Sequence, residues 1–257
     1  MKRGKKMWLV PRTRANNIER GLASNLKAIY NRFREDIIAK LEPMMVGEIN
    51  EALRPIAIDP LGDRYKNQIY QVIVAGKLNA AEMAAKYISR QFKKPIRPRF
   101  FNTRIVDVMK DRALLIVKKN IMPNMENRFK AIITRGIREG ATTKQVIGHL
   151  KMITGNYNTI AMTEIASAAS EASHMQALDA LQQTNAVGAF LKGWHTAQDE
   201  DVRDSHQQAG EDYGEGNEIP VTEQFQVGTE TLNFPAEYGR DPKEVINCRC
   251  NEYMTLK

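Results

Sequence analysis

The sequence predicts an α+β protein: a mostly α-helical N-terminal region with long helices, followed by a small α+β C-terminal domain. Three observations carry that expectation. Up to about residue 185, apolar residues recur at spacings of three and four, the period of a helix that buries one face. After Asn185 the texture changes to short alternating runs separated by Gly, Pro and other turn formers. The chemically scarce residues (both cysteines, His195 and His206, one of the two tryptophans) collect between Trp194 and Cys250, as in a small, tightly specified unit.

Bulk properties bound the function classes. A chain of 257 residues that is 42% hydrophobic and 26% charged can bury a core, so disorder along its whole length is excluded. The net charge of +8 conceals a strong asymmetry. Residues 1–151 carry 32 Lys and Arg against 13 Asp and Glu, a net of +19, whereas residues 152–257 carry 6 against 17, a net of −11. Such a dipolar chain implies two surfaces with different partners, or attraction between neighbouring copies. The longest apolar run, Ala113–Val117, is far short of the roughly 18 residues that span a membrane. The basic start is followed by only four apolar residues, too few for the ~7–15 of a signal peptide. Synthesis and residence in a cytoplasm are therefore expected. Two cysteines spaced C-x-C give no disulfide framework.

Taken in order, residues 1–14 read as a basic, flexible arm, with Trp8 and Leu9 as anchors on a partner. A helical region follows over 15–155. Ile18, Leu22, Leu26, Ile29, Tyr30, Phe33, Ile37 and Leu41 mark an amphipathic helix over Asn17–Leu41. Ala57–Gly62 reads as a loop, Asp63–Leu78 as a second helix, and Ala80–Phe92 as a third capped by Asn79. Lys93 to Arg99 is a basic, proline-punctuated break. Helices are expected from Asn102 or Thr103 to Lys119, over Asn124–Ile137 with Pro123 at its start, and over Lys144–Ile153 behind a Thr142 or Thr143 cap. A long Ala- and Ser-rich helix, about 158–183, opens the last domain, 156–257. Its small α+β unit, 186–257, is expected to hold a strand ending at Trp194, a helix over Asp199–Gln208 and a loop over Gly210–Val221. A hairpin over Phe225–Phe234 turning at Gly228, a loop bounded by Pro235 and Pro242, and a strand over Asn251–Leu256 complete it.

Spacing along the expected Asp199–Gln208 helix puts Asp199, Arg203 and His206 on one side, with Asp199 and Arg203 close enough to pair. Cys248 and Cys250 would share one side of a strand. Three readings of these residues compete. A zinc site would use His206, Cys248 and Cys250, but C-x-C with one distant His is weak metal spacing and lacks a clear fourth ligand. A cysteine nucleophile would use His206 as base. In the third reading Trp194, Arg203, His206, Asn247 and the cysteines form a buried polar and aromatic cluster that fixes a small core. The balance lies with the third, which needs no catalytic residues and no cofactor. His149 and His174 read as surface or capping residues. The motifs GxxxxGK[ST], HExxH and GxSxG are absent. The basic residues Lys2, Arg3, Lys5, Lys6, Lys93, Lys94, Arg97 and Arg99 are candidates for contact with DNA phosphates or an acidic partner.

A Trp, then Asp-x-x-x-Arg-x-x-His, a Gly, a loop with Phe and Pro, and a terminal Ile-Asn-Cys-Arg-Cys resemble the phage head morphogenesis family, the Mu protein F-like minor capsid proteins. The matching residues are Trp194, Asp199, Arg203, Ser205, His206, Gly210, Pro235, Pro242, Ile246, Asn247, Cys248, Arg249 and Cys250, preceded by Thr163-Glu164 in an Ala-rich helix. The resemblance covers about residues 140–257, and residues 1–140 match only as a variable helical region. Gln207-Gln208-Ala209-Gly210 and the short loop after Phe234 depart from the family's usual pattern. The resemblance implies a minor head protein of a tailed phage, inside the procapsid and later the virion head, after assembly in the host cytoplasm. Its implied partners are the portal, scaffold or major capsid proteins and, non-specifically, packaged DNA. It implies no catalytic residues, and no fused toxin or ADP-ribosyltransferase domain is expected after Cys250. The alternatives are a metal- or Cys/His-dependent nuclease-like enzyme in the C-terminal domain, and a plain non-specific DNA-binding protein.

Overall fold

The computed structural model describes residues 12–42, 53–90, 103–184 and 190–256. The arm residues Lys2, Arg3, Lys5, Lys6, Trp8 and Leu9, and the basic break with Lys93, Lys94, Arg97 and Arg99, lie outside them. Helices occupy most of the chain up to Thr184, and short antiparallel strands follow, as an α+β protein dominated by helix requires. The described residues within 22–74 and 110–157 form one compact unit, and those within 12–21, 75–109 and 158–256 form the other.

Helix α1 (Arg12–Leu41), in the first unit from Leu22 on, carries the expected apolar stripe and starts five residues earlier than Asn17, and the helix after it belongs to the first unit only up to Val74. Leu22, Leu26, Ile29, Tyr30, Phe33, Ile37 and Leu41 are all buried. Helix α2 (Leu53–Ser89) is continuous through both Ala57–Gly62 and Asn79, where a loop and a helix cap were expected. The breaks are overridden by packing: Leu61 within the first and Tyr65 just after it are buried, and Lys77, Ala80, Ala81, Ala84 and Ala85 are buried around the second. Helix α3 (Thr103–Ile116) passes through a wide π turn, Val117–Ile121, into helix α4 (Met122–Arg138). The Met122 N–H reaches back to the Val117 carbonyl, so the chain keeps its helical course up to Pro123 instead of breaking there.

Helix α4 ends in a left-handed Gly140, φ 63°, which lets the Ala141 N–H bond the Gly136 carbonyl at 2.9 Å and the Gly140 N–H bond that of Ile137 at 3.3 Å. Helix α5 (Thr143–Lys151) is opened by Thr142, which forms a reciprocal capping box with Gln145. Aromatic edges knit the unit: Phe33 lies 5.0 Å from Tyr65 and 5.3 Å from Phe129, ring centre to ring centre. The Tyr65 hydroxyl donates to Asp36 at 2.5 Å, and burial together with that carboxylate pushes its ionisation up to about 12.

In the second unit, helix α6 (Tyr157–Thr184) is buried on most sides, and its small residues permit it. Ala161, Ala168, Ala172, Ala177 and Ala180 are buried together with Ser167, Ser170 and Ser173. Two polar contacts are enclosed with them. Glu164 accepts a hydrogen bond from the buried Lys77 ammonium of α2 at 2.8 Å. His174, expected at the surface, is buried instead, with Nδ1 3.4 Å from the Glu252 carboxylate.

Strand β1 (Phe190–His195) pairs antiparallel with β5 (Asn251–Leu256) over its full length, from Phe190 opposite Leu256 to His195 opposite Asn251. The two-residue strand β2 (Ile219–Pro220) lies on the other edge of β1, inside the stretch expected to be a loop. The expected hairpin is β3 (Phe225–Val227) and β4 (Glu230–Leu232), turning at Gly228 with φ 59°. Helix α7 is Asp204–Asp212, starting five residues later than the reading from sequence, and short helix α8 (Pro242–Val245) begins at Pro242, where the expected loop ends. Gly193 faces Tyr253 across the β1–β5 ladder, and a Cβ at Gly193 would fall 2.2 Å from the Tyr253 ring, so the ring needs the bare backbone it covers.

Lys192 is fully buried on β1; its ammonium donates to the Asn233 carbonyl at 2.6 Å and lies 4.4 Å from the centre of the Phe225 ring. Burial lowers its pKa to about 8 against the pull of Glu252, Glu237 and Glu223. In the unfolded chain the ammonium holds its proton to about 10.4. Between about pH 8 and pH 10 the unfolded state therefore binds more protons, and folding stability rises with pH; below about 8 both states are charged and the contribution is flat. Denaturation midpoints measured across that window should rise in the wild-type chain, by on the order of 2 kcal/mol in stability, and the rise should vanish in Lys192→Met. Parallel profiles for the two proteins would exclude Lys192 as the source.

Candidate functional site

The residues singled out between Trp194 and Cys250 meet in the second unit, but by contacts other than those the spacing suggested. Asp199 precedes α7 rather than lying on it, so Asp199, Arg203 and His206 share no helical face. The predicted Asp199–Arg203 pair is replaced by two others. Asp199 accepts both arms of the Arg249 guanidinium, each at 2.6 Å, and Asp201 lies 3.5 Å from the same group. These carboxylates raise the Arg249 pKa above its usual range, the hydrogen bonds it donates to Asp199 contributing most. Arg203, at the N-terminal boundary of α7, sends its guanidinium to the Ile246 carbonyl.

Two arginines thus clamp the segment Ile246–Arg249 from opposite sides of its sequence. Between them Asn247 takes a left-handed conformation, φ 61°, which Asn tolerates better than most side-chain-bearing residues. Its N–H donates to Thr163 Oγ1 of α6 at 3.0 Å. The Cys248 N–H bonds the Val245 carbonyl at 3.2 Å, continuing the turn out of α8. Cys248 and Cys250 therefore lie in an extended segment before β5, not within a strand as expected.

Their thiols nevertheless converge. His206 Nδ1 is 3.4 Å from Cys250 Sγ and 3.7 Å from Cys248 Sγ. On the other side of the ring, Nε2 is 3.0 Å from Glu244 Oε2 but without the alignment of a full hydrogen bond. Glu244 accepts from Ser205 Oγ at 2.7 Å. Trp194 presents an edge-to-face contact to the His206 ring, centres 5.4 Å apart, and a second to Phe225 at 5.3 Å. His206 and Cys248 are 1% exposed and Cys250 is 3% exposed, too little for a substrate to reach a sulfur. The Cys248 thiol is drawn well below the ordinary range, first by its hydrogen bond with Cys250 and then by His206 against the opposing effect of burial. The same bond and burial push Cys250 upward. The opposite shifts belong to the hydrogen-bonded pair of sulfurs together.

Glu244 is the member that spacing did not reveal. Asp241 accepts from the Lys243 N–H at 2.9 Å and Pro242 follows it, so the cap and the proline at the first helical position mark α8 in the sequence. That helix is what aims Glu244 at Ser205 and His206.

Residues 126–253 match the family described as phage Mu protein F like protein. No curated protein and no solved structure matches the chain.

The Asp199–Arg249 fork is partly exposed, so its worth is modest. A double-mutant cycle with Asp199→Ala and Arg249→Ala should give a coupling of about 0.5–1.5 kcal/mol in chemical denaturation, whereas Asp199→Ala with Arg203→Ala should give roughly zero. Coupling confined to the second pair would restore the helical arrangement that the sequence suggested.

Proposed function

Residues 126–253 of this chain belong to the phage Mu protein F like family, and from that premise we propose that it is a minor head protein of a tailed bacteriophage. Its place is inside the procapsid, associated with the portal and with scaffold or major capsid proteins. The family match is the observation that carries the reading. The site is consistent with a non-enzymatic role: its thiols and imidazole are sealed from solvent and tied to backbone turns, which suits a cluster that holds a fold. This favours the structural reading over a hydrolase with a cysteine nucleophile, which needs an accessible sulfur. Among the described residues no helix is long and apolar enough to cross a membrane.

Contact with packaged DNA is a second part of the proposal, and charge supports it. The unit of residues 22–74 and 110–157 carries 17 Lys and Arg against 10 Asp and Glu. Lys27, Arg32, Lys118, Lys119, Arg135 and Arg138 are exposed on its helices. Dispersed cations of this kind neutralise phosphates without reading bases.

Mass spectrometry of purified procapsids and mature particles, with peptide abundance referred to the portal, tests the head role. Detection at a few copies per portal ring is expected, and absence from both particles would overturn it. For the DNA part, affinity for unrelated duplexes should be alike and should fall steeply between low and physiological salt. Sequence-selective binding indifferent to salt would remove that part and leave the head role standing.

A further inference from the structure

The side chains of His206, Cys248 and Cys250 bring three soft, ligating atoms together in a closed space. His206 Nδ1, Cys248 Sγ and Cys250 Sγ all lie within 4.8 Å of one another, and all three residues are buried. A tetrahedral zinc ion with bonds of ~2.3 Å to sulfur and ~2.05 Å to nitrogen holds its sulfur and nitrogen ligands roughly 3.6 Å apart. The two sulfur–nitrogen separations here are 3.4 and 3.7 Å. They bracket the value that such an ion requires.

A ring nitrogen has a single lone pair, so Nδ1 accepts a well-directed hydrogen bond from one thiol at a time, and the second sulfur is then left to bond the first. A metal ion gives all three atoms a common partner. The other ring nitrogen has a carboxylate within reach: Nε2 lies 3.0 Å from Glu244, short of the alignment of a full hydrogen bond, and that carboxylate is itself held by Ser205. An outer carboxylate of this kind fixes the ring orientation and the tautomer that leaves Nδ1 free for the metal. Charge also balances. A divalent zinc with two thiolates and a neutral imidazole is neutral overall, so the buried site holds no unpaired charge.

We propose that His206, Cys248 and Cys250 form a structural zinc site, with Glu244 as the outer carboxylate that orients His206. Both thiols give up their protons to solvent as the ion enters, and no electrons are transferred. The fourth position falls to a water molecule or a backbone oxygen, because no other His, Cys, Asp or Glu among the described residues joins the group. The site ties α7 to the segment between α8 and β5, with α8's Glu244 behind it. The proposal stands on the geometry alone and is independent of the head role.

The test uses the full-length chain, purified without chelator, exchanged into metal-free buffer and measured for zinc by mass spectrometry. About one zinc per chain is expected, released in step with a mercurial that blocks thiols, and the denaturation midpoint should fall when a strong chelator strips it. Cobalt(II) added to the stripped protein should give thiolate-to-cobalt charge-transfer absorption in the near ultraviolet and the visible bands of a tetrahedral site. Cys248→Ser and Cys250→Ser should lose the metal. Glu244→Gln keeps every ligand and should still bind one equivalent, about 10- to 100-fold more weakly. A folded wild-type chain that arrives without zinc, shows no cobalt spectrum and has a midpoint indifferent to chelator would overturn the proposal. So would a Cys248–Cys250 disulfide in the protein as isolated. The wild-type cobalt titration decides the matter even where a cysteine variant fails to fold.

Discussion

The six-residue antiparallel pairing of β1 with β5 is the constraint on which the C-terminal unit depends. It joins the start of the unit to the end of the matched family region, so everything between must close as a loop whose two ends are fixed. On one face it places Lys192 and Trp194 together with Glu252 and Met254, all buried. The two cysteines stand immediately before β5, so the ladder also sets their distance from Trp194 and from α7 packed beside it. A slip of one residue would turn each of these side chains to the opposite face. The Tyr253 ring, which lies over Gly193, opposes such a slip because only a glycine leaves room for it.

Buried polar groups give this unit its specificity. Lys77 with Glu164 and Lys192 with the Asn233 carbonyl are each enclosed by apolar surroundings, where a misplaced partner leaves a charge or donor unsatisfied. An all-apolar core of similar size would tolerate sliding, and these contacts do not. The His206 cluster belongs to the same design. Its surroundings are fixed by packing on Trp194 and Phe225 and by two hydrogen bonds to the backbone beside the cysteines, Arg203 donating to the Ile246 carbonyl and Thr163 accepting from the Asn247 N–H, which suits a small unit with little apolar area to bury.

The first unit uses a different physics. Phe33, Tyr65 and Phe129 interlock by their edges, and the helices that carry them need only present a stripe of large apolar residues. The ends of these helices are set locally, by the Thr142 capping box and by the left-handed Gly140. Arg34 and Arg128 then take up the carbonyls of Lys151, Ile153 and Thr154 beyond α5. Local chemistry and burial agree here.

The sequence by itself determined the helical stripes, the boundaries at Gly140 and at Thr142 or Thr143, the turn at Gly228, the final strand and the resemblance to the family. Each rests on neighbours within a few residues: a repeat of apolar positions, a cap, a turn or a fixed run such as Ile-Asn-Cys-Arg-Cys. The family resemblance also drew Thr163, Arg203, His206 and the cysteines into one list before any contact between them was visible. What only the tertiary structure decided were pairings across long stretches of chain. Asp199 could reach Arg203 if the intervening residues were helical, and it turned to Arg249 because the helix begins at Asp204. Continuity of α2 across Asn79 came from the burial of Ile73, Val74 and Lys77 before it and of Ala80, Ala81, Ala84 and Ala85 after it, around a residue that otherwise caps helices. His174 is buried because Glu252, far away in sequence, lies opposite it. Such outcomes depend on which distant group is brought near, and no local period encodes that.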